Sequence, residues 1–281
     1  MKYVVFSGGL GNQMFQYAFM LSLKHKGIKV LADTSVYECT LTHNGFELDK
    51  IFNTSERFIK RNKIVGFIFK LLHRKRYPLL WFRESKPMVY DNTVYKTKKM
   101  FLDGCWVSEL YFKGIEDVIR REFNFCNINN ANLELAEKMR NEESVSLHIR
   151  RGDYLTFKNF QVCGTEYYKK AIEHICSSVK NPLFYIFSND TVWAKEFIKQ
   201  FPVNYRIVEH NTGVNSYQDM FLMSRCKHNI IVNSTFSWWG AYLNDNKDKI
   251  VVSPKHWLRH IDCNANCPGW TIFDEEFPEI E

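Results

Sequence analysis

Two adjacent arginines, followed by a glycine and a carboxylate, offer the clearest chemistry in this chain. Residues 144–154 read SVSLHIRRGDY. Apolar and polar side chains alternate up to Arg150, which predicts a half-buried β-strand, and Gly152-Asp153 is a turn signal. An arginine at a strand end suits a diphosphate or a carboxylate, because its planar fork of donors pairs two oxygens at once. An ordinary ion pair of Arg150 or Arg151 with Asp153 stays open as the alternative.

A second polar cluster, at residues 233–240, reads NSTFSWWG and follows another predicted strand. It places four short polar side chains and several backbone N–H groups at a helix start: Asn233, Ser234, Thr235 and Ser237. Such a helix start is a ready anion site. Ser and Thr are also preferred as plain N-caps, but four such residues in five positions favour phosphate binding.

Two further polar features belong to the same half of the chain. Ser188 and Asn189 end the predicted strand 183–188. Asp219 lies in the first turn of a predicted helix and could accept hydrogen bonds from a guanine or a ribose. The alternative for Asp219 is a solvated carboxylate that favours the helix start.

The N-terminal segment reads as strand, glycine-rich turn, helix and strand. Residues 7–13, SGGLGNQ, follow the strand and open the helix, and Asp33 ends the second strand. The pattern is similar to a dinucleotide-binding turn, with an acid about 20 residues further on, but Met14 occupies the position of the third glycine. Gly11, Asn12 and Gln13 instead place a close turn and two carboxamides where a sugar or phosphate could bind.

Metal and thiol chemistry have little support. The sequence has no Asp-x-Asp pair, and the ligand types at His256, His260, Cys263 and Cys267 are interrupted by residues typical of packing. We therefore predict no metal site. Cys163 lies near His148 in sequence, but nothing assigns the two residues to one nucleophilic site.

Strand and helix patterns alternate regularly after residue 141. The predicted strands are 145–150, 183–188, 204–208, 229–233 and 249–253, with helices 165–178, 191–200, 216–226 and 237–243 between them. This alternation predicts an α/β fold with parallel sheets, in which ligands bind at the carboxyl ends of the strands. We predict two Rossmann-like domains, 1–140 and 141–281.

Composition indicates a globular protein with an anionic partner. The chain has 281 residues, 45% of them hydrophobic, and a net charge of +7, which favours a nucleotide or an anionic membrane. Nucleic acid ranks lower, because no nucleic-acid-binding motif appears. No export signal or run of about 20 apolar residues is visible, and the eight cysteines are expected to be reduced. Residues 60–76 combine basic and apolar residues, which suits either a membrane-surface helix or a core helix with solvated ends.

Four motifs in order resemble the bacterial α-1,2-fucosyltransferases of glycosyltransferase family 11. They are GGLGNQMFQYA at 8–18, HIRRGDY at 148–154, FSND at 187–190 and NSTFSWWGA at 233–241. The resemblance implies a GT-B fold, in which two domains face across a cleft and the last residues could pack back on the first domain. It also implies GDP-β-L-fucose as donor, no metal, and inverting transfer to the 2-hydroxyl of a galactose.

The resemblance also implies roles for the residues above. Arg150 would bind the donor diphosphate with Ser234, Thr235 and Ser237, while His148 and Asp219 would lie near the guanosine. Asn12 and Gln13 would close over the donor from the first domain. Asp153 is the motif carboxylate and could be the base or could only orient an arginine; if the leaving phosphate takes the proton, no residue is an obligatory base.

The resemblance places the enzyme in a bacterial cell. We expect a cytoplasmic protein, peripheral at the inner membrane through residues 60–76, whose acceptor is a β-galactoside glycan or a lipid-linked oligosaccharide. Three alternatives stay open. They are a fucosyltransferase of another linkage or acceptor, a carbohydrate-binding protein with a decayed site, and an NAD-dependent dehydrogenase.

Overall fold

A computed structural model of the chain describes residues 1–38, 44–56, 58, 79–274 and 277–279, with the side chains of Asp153 and Leu155 outside the description. The chain divides into two compact units, Met1–Asn127 and Ile128–Glu281. Each unit contains a parallel sheet with helices. The predicted α/β class with parallel sheets is therefore confirmed, while the placement of the units across a cleft stays a prediction.

The first unit has a four-stranded sheet in the order β2-β1-β4-β3, with every pair parallel. The strands are β1 (Lys2–Val5), β2 (Val30–Asp33), β3 (Trp81–Arg83) and β4 (Phe101–Asp103). The described residues of this unit form the helices α1 (Leu10–His25), α2 (Leu48–Ile51) and α3 (Glu116–Glu122). The predicted strand–turn–helix–strand unit is β1-α1-β2. Helix α1 is buried at nearly every position up to Leu23, as expected of a helix that is apolar all round.

The second unit has a six-stranded parallel sheet in the order β10-β9-β8-β5-β6-β7. Its strands are β5 (Ser144–Ile149), β6 (Leu183–Ser188), β7 (Asn204–Val208), β8 (His228–Ile230), β9 (Val251–Pro254) and β10 (Thr271–Phe273). Its helices are α4 (Asn130–Asn141), α5 (Thr165–Ser178), α6 (Thr191–Ile198), α7 (Tyr217–Met223) and α8 (Thr235–Leu243). The predicted alternation is confirmed, and β10 is a strand that the sequence analysis missed.

This strand order is that of a doubly wound nucleotide-binding sheet, in which the winding direction reverses between two central strands. Here the reversal lies between β5 and β8, which pair directly. The crevice outside the carboxyl ends of these two strands is where such sheets bind ligands. The fold therefore points to the residues that follow Ile149 and Ile230.

Strand β5 is buried at all six positions, so the prediction of a half-buried strand was wrong. Val145, Leu147 and Ile149 pack into the core against α5. Polar side chains of the other face are buried as well: Ser146 accepts a hydrogen bond from the Asn229 amide at 2.7 Å. A central strand of a parallel sheet is covered on both faces, and here buried polar partners replace water.

One end of the second unit differs from the sequence analysis. Helix α4 belongs to the second unit, so the division lies before this helix and not near residue 141. At the other end, residues 277–279 pack within the second unit: Arg259 donates to the Pro278 carbonyl and stacks on Phe277 at 5.0 Å. A side chain at Gly164 would clash with the Pro278 ring at 2.9 Å. That the last residues pack on the first domain stays a prediction.

Residues 60–76, predicted to contact a membrane surface, lie outside the described residues. Among the residues that the structure does describe, none of the helices is both long and apolar enough to span a bilayer.

Candidate functional site

The structure brings the two strongest sequence clusters together at the reversal point of the second sheet. The Tyr154 hydroxyl donates to the Asn233 carbonyl at 2.8 Å. The ring centres of His148 and Phe236 lie 6.2 Å apart. The HIRRGDY and NSTFSWWG segments are therefore two walls of one site.

The two arginines have different surroundings. Arg151 stacks on the Trp193 ring at 4.3 Å, and its Nε lies 3.8 Å from Asp190 Oδ2. Arg150 lies over the Tyr154 ring at 5.5 Å and continues the strand face that carries His148. Arg151 thus has an acidic neighbour that the sequence analysis did not name, Asp190. The predicted ion pair with Asp153 stays a prediction, because the side chain of Asp153 lies outside the described residues.

A cavity of about 130 Å³ opens beside this strand end. Both arginines line it, together with Tyr154, Trp193 and the start of α5 at Gly164 and Thr165. Gly164 is the N-cap of α5, and no side chain caps that helix. Guanidinium groups, aromatic rings and helix-terminal N–H groups together form a site for an anion.

Ser188 and Asn189 build the turns around the arginines. Asn189 Oδ1 accepts from the Arg151 N–H at 3.0 Å, and a Cβ on Gly152, whose φ is +27°, would lie 2.1 Å from Asn189 Nδ2. The Ser188 hydroxyl accepts from the Asp190 N–H and donates to the Asp190 carbonyl. Both predicted donor-binding side chains are therefore engaged in structural contacts.

At the start of α8, the side chain of Ser234 does not serve as the helix cap. Ser234 is the N-cap residue, yet its hydroxyl makes no capping hydrogen bond, so the plain N-cap alternative is wrong at this position. Ser237 Oγ donates to the Ser234 carbonyl at 3.3 Å. The Asn233 amide donates to the Phe160 and Trp257 carbonyls at 2.9 and 3.0 Å. Thr235 lies half-buried in the first turn of the helix.

His148 is buried at the end of β5, with 4% exposure. Its Nδ1 has no hydrogen-bond partner among the described residues. Burial and the Arg150 charge lower the pKa of His148 to about 3. The imidazole is therefore neutral at physiological pH and can offer a hydrogen bond but no charge.

Asp219 belongs to a network of amides between the starts of α4 and α7. Asn211 Nδ2 donates to Asp219 Oδ1 at 2.8 Å, and Asn132 Nδ2 donates to Asn211 Oδ1 at 2.7 Å and to Gln218 Oε1 at 2.8 Å. His210 Nε2 lies 2.8 Å from Asn132 Oδ1. Burial raises the pKa of Asp219 to about 7, opposed in part by the Asn211 hydrogen bond. The alternative of a solvated carboxylate is thus wrong.

Sequence analysis missed the amide partners of Asp219. Residues 127–132 are polar and rich in asparagine, which by itself indicates only a polar run before a helix. In the structure Asn129 caps α4, while Asn132 is fully buried. Nothing in the sequence links Asn132 to Asn211, which lies 79 residues further along the chain.

In the first unit, Gln13 is fully buried. Its amide donates to the Gly8 and Gly45 carbonyls and accepts from the Glu47 N–H at 2.9 Å. Its side chain therefore holds two loops together instead of facing a ligand. Gly11 is buried in the first turn of α1, while Asn12 is half-buried beside Gly8, whose φ is +80° and whose added Cβ would lie 2.6 Å from Asn12 Nδ2.

Asp33 and Cys163, which the sequence analysis weighed for other chemistry, lie in surroundings that do not favour it. Asp33, the expected ribose ligand of a dehydrogenase, is buried and accepts from the Ser35 N–H and hydroxyl. Burial raises the pKa of the Cys163 thiol to about 12. The described part of the chain holds no group of three or more His, Cys, Asp or Glu arranged to bind a metal ion.

A doubly wound parallel sheet with an arginine and an open helix start near its reversal point is typical of α/β proteins that bind an anionic ligand there. More specifically, the chain belongs to glycosyl transferase family 11, whose sequence profile matches residues 1–271.

Two similar bacterial proteins extend over most of the chain, and a human one extends over half of it. An α-1,2-colitosyltransferase of Escherichia coli is 32% identical over 93% of this chain and 94% of its own. The O-antigen biosynthesis glycosyltransferase WbnK of Escherichia coli is 36% identical over 91% of this chain and 94% of its own. The human galactoside α-(1,2)-fucosyltransferase 1 is 27% identical over 50% of this chain and 42% of its own.

Proposed function

We propose that this glycosyltransferase moves L-fucose from GDP-β-L-fucose to the 2-hydroxyl of a terminal β-galactoside in a bacterial surface glycan. The reaction inverts the anomeric centre and needs no metal ion. The acceptor is a glycan or a lipid-linked oligosaccharide that is completed at the inner face of the membrane.

The observation that carries this proposal is that the two polar segments meet at the reversal point of the sheet, where Tyr154 contacts Asn233 and where Arg150 and Asn233 line one cavity. A departing nucleoside diphosphate gains negative charge as its bond to the sugar breaks. A fixed guanidinium and helix-terminal N–H groups stabilise such charge without reorganising. The Ser234 hydroxyl, which does not cap its helix, is available to donate to the same diphosphate.

The base of the donor would lie beside Asp219. A guanine presents two adjacent N–H donors, and an ionised carboxylate accepts both at once. The Asn211 hydrogen bond at 2.8 Å fixes the orientation of this carboxylate. The neutral His148 ring would supply a further hydrogen bond to the guanosine.

The α-1,2 linkage rests on the names of the relatives. Two of the three compared proteins are α-1,2 transferases, one for colitose and one for fucose on galactosides. The colitosyltransferase also favours a second candidate, in which the donor sugar is colitose. Fucose and colitose differ only at the 3-hydroxyl, which colitose lacks.

The test is incubation of the purified chain with GDP-fucose and a panel of β-galactosides, followed by NMR of the product. We expect an α-fucosyl residue on the galactose O2 and an unchanged rate in excess EDTA. A parallel reaction with GDP-colitose decides between the two donors through the ratio of their kcat/KM values.

Linkage at another hydroxyl would replace the α-1,2 assignment but keep the fucosyl donor. Absence of any product with both donors and all galactosides, alongside GDP binding, would move the proposal to another acceptor class. Absence of GDP binding would overturn it.

A further inference from the structure

The sheet of the first unit carries exposed apolar side chains at its amino edge, opposite the edge where such sheets bind ligands. Among the described residues of this unit, the exposed large apolar side chains all lie just before a strand: Met1, Leu79, Leu80 and Met100. Leu79 is 88% exposed and Met1 is 69% exposed. Single exposed apolar residues are common on protein surfaces, but four at one edge indicate an interaction surface.

Backbone hydrogen bonds place these residues side by side. The Tyr3 N–H donates to the Met100 carbonyl at 2.8 Å, and the Met100 N–H donates to the Leu80 carbonyl at 3.0 Å. Neighbouring strands lie about 4.8 Å apart, so the residues that precede β1, β4 and β3 form one row. The apolar residues therefore belong to a single surface.

Lysines extend the same row. Lys29 precedes β2, and its carbonyl accepts from the Lys2 N–H at 2.9 Å. Residues 96–100, which precede β4, read KTKKM, and Lys2 Nζ donates to the Lys99 carbonyl at 3.2 Å. The exposed lysines of the row are Lys29, Lys96 and Lys98. Positive charge and apolar side chains thus occur together.

The two edges of this sheet differ in charge. The amino edge is formed by residues 1–2, 29, 79–80 and 96–100, and these segments contain no acidic residue. The carboxyl edge has an acidic residue at or directly after three of its strands: Asp33, Glu84 and Asp103. An anionic partner is therefore attracted to the amino edge and not to the carboxyl edge.

We propose that the amino edge of the first sheet docks on an anionic lipid surface. The inference rests on the proposed function for its setting, since the acceptor there is completed at a membrane. Lysines attract anionic headgroups, and apolar side chains enter the boundary between headgroups and acyl chains. Both attractions act together, because the two kinds of residue share one row.

A second copy of this chain suits the amino edge less well than a lipid surface does. A twofold interface brings the same patch of both copies together. The lysines of one copy would then face those of the other, and such like-charge contacts are unfavourable.

The first test measures sedimentation of the protein with phosphatidylglycerol vesicles, with zwitterionic phosphatidylcholine vesicles as the comparison. Lys98→Glu is paired with Lys86→Glu, a matched charge reversal of an exposed lysine after the carboxyl end of β3. We expect Lys98→Glu to lower the partition coefficient on phosphatidylglycerol at least about fivefold. Lys86→Glu should leave it within about twofold, and salt should weaken wild-type binding. Residues 60–76 are unchanged in both variants, so a difference between them belongs to the amino edge.

The second test concerns the apolar residues. Leu79→Ser is paired with Leu133→Ser, which changes an exposed leucine on α4 of the second unit. We expect Leu79→Ser to lower the partition coefficient at least about fivefold, because a leucine no longer leaves water on binding. Leu133→Ser should leave it unchanged. Transfer to a soluble β-galactoside should stay within about twofold of the wild type in Leu79→Ser and Lys98→Glu.

Vesicle binding at the wild-type level in both Lys98→Glu and Leu79→Ser would overturn the proposal, as would a wild type that binds neither kind of vesicle. Transfer to soluble galactosides would leave the proposed function standing in either case. The expected vesicle binding without transfer to any acceptor would instead overturn the proposed function alone. If thermal melting shows that Leu79→Ser does not fold, Met100→Ser replaces it with the same expected result.

A second copy of the chain as the partner has its own signature. Sedimentation equilibrium would then show a wild-type dimer that Leu79→Ser dissociates, in a protein that does not bind vesicles. That result would replace the lipid surface by self-association.

Discussion

Arg150 and Arg151 are adjacent in sequence, and the fold separates their tasks. Strand alternation sends neighbouring side chains to opposite faces of a sheet. Arg151 thereby contacts Trp193 of α6 and the cap residue Asp190, whereas Arg150 lies over the Tyr154 ring. The sequence motif predicted an anion-binding arginine, and the contacts of Arg151 favour Arg150 for that role.

Replacement of Arg150 by alanine should lower kcat/KM for transfer by at least about 100-fold, because the developing charge on GDP loses its guanidinium. Arg151→Ala is the matched control. It should lower the melting temperature through loss of the Trp193 stack while keeping transfer within about tenfold. Steady-state kinetics and thermal melting of both variants test this prediction. Full activity in folded Arg150→Ala would refute the role of Arg150 in stabilising the departing GDP.

Asp219 should make nucleotide binding depend on pH. Its carboxyl must be ionised to accept two guanine N–H groups, and its pKa is raised to about 7. We therefore expect the Kd for GDP to rise below a pH of about 7, approaching tenfold per pH unit. His148, with a pKa lowered to about 3, should add no step there. Calorimetric titration of the wild type and Asp219→Asn checks this, since the variant should bind weakly with a flat pH profile.

The raised pKa of Asp219 also makes the free energy of unfolding depend on pH. A carboxyl whose pKa is higher in the folded state binds its proton more tightly there, so ionisation favours unfolding. The contribution of Asp219 to the free energy of unfolding is thus present at low pH. It decreases as the pH rises from the ordinary range of an aspartate to about 7. Asp219→Asn should remove this decrease, and a parallel decrease in the variant would show that another group causes it.

At the scale of elements, α6 and α8 both begin after polar strand ends, but their caps differ. Asp190 caps α6 by accepting from the Trp193 N–H at 3.0 Å. Ser234 occupies the cap position of α8 without making that bond. Similar sequence signals thus lead to one helix start that is closed by its own side chain and another that remains open to a ligand.

This difference predicts opposite effects of two alanine substitutions. Asp190→Ala should cost about 1 kcal/mol of stability, the usual value of an N-cap, with a modest change in donor KM. Ser234→Ala should cost less than about 0.5 kcal/mol and raise donor KM several-fold. Urea unfolding and donor kinetics measure both quantities. A loss of about 1 kcal/mol in Ser234→Ala with unchanged KM would show an ordinary cap.

At the scale of the whole molecule, the sequence predicted two units, but the structure places the boundary between them earlier in the chain. The boundary was expected near residue 141, where the regular alternation of strands and helices begins, and it lies after Asn127. Buried hydrogen bonds of Asn132 with Asn211 and Gln218 fix helix α4 to the second unit. A polar residue that finds buried partners cannot be told from a solvated one by its type alone.

The sequence by itself determined the order of strands and helices, the two polar clusters and the family, because periodicity and short motifs are local properties of the chain. Only the tertiary structure decided which polar side chains hydrogen-bond within the protein, as those of Gln13, Asn189 and Asn233 do. It also showed the amide network of Asp219. These properties depend on partners distant in sequence, and burial sets both the cost of leaving a polar group unpaired and the pKa of a carboxyl.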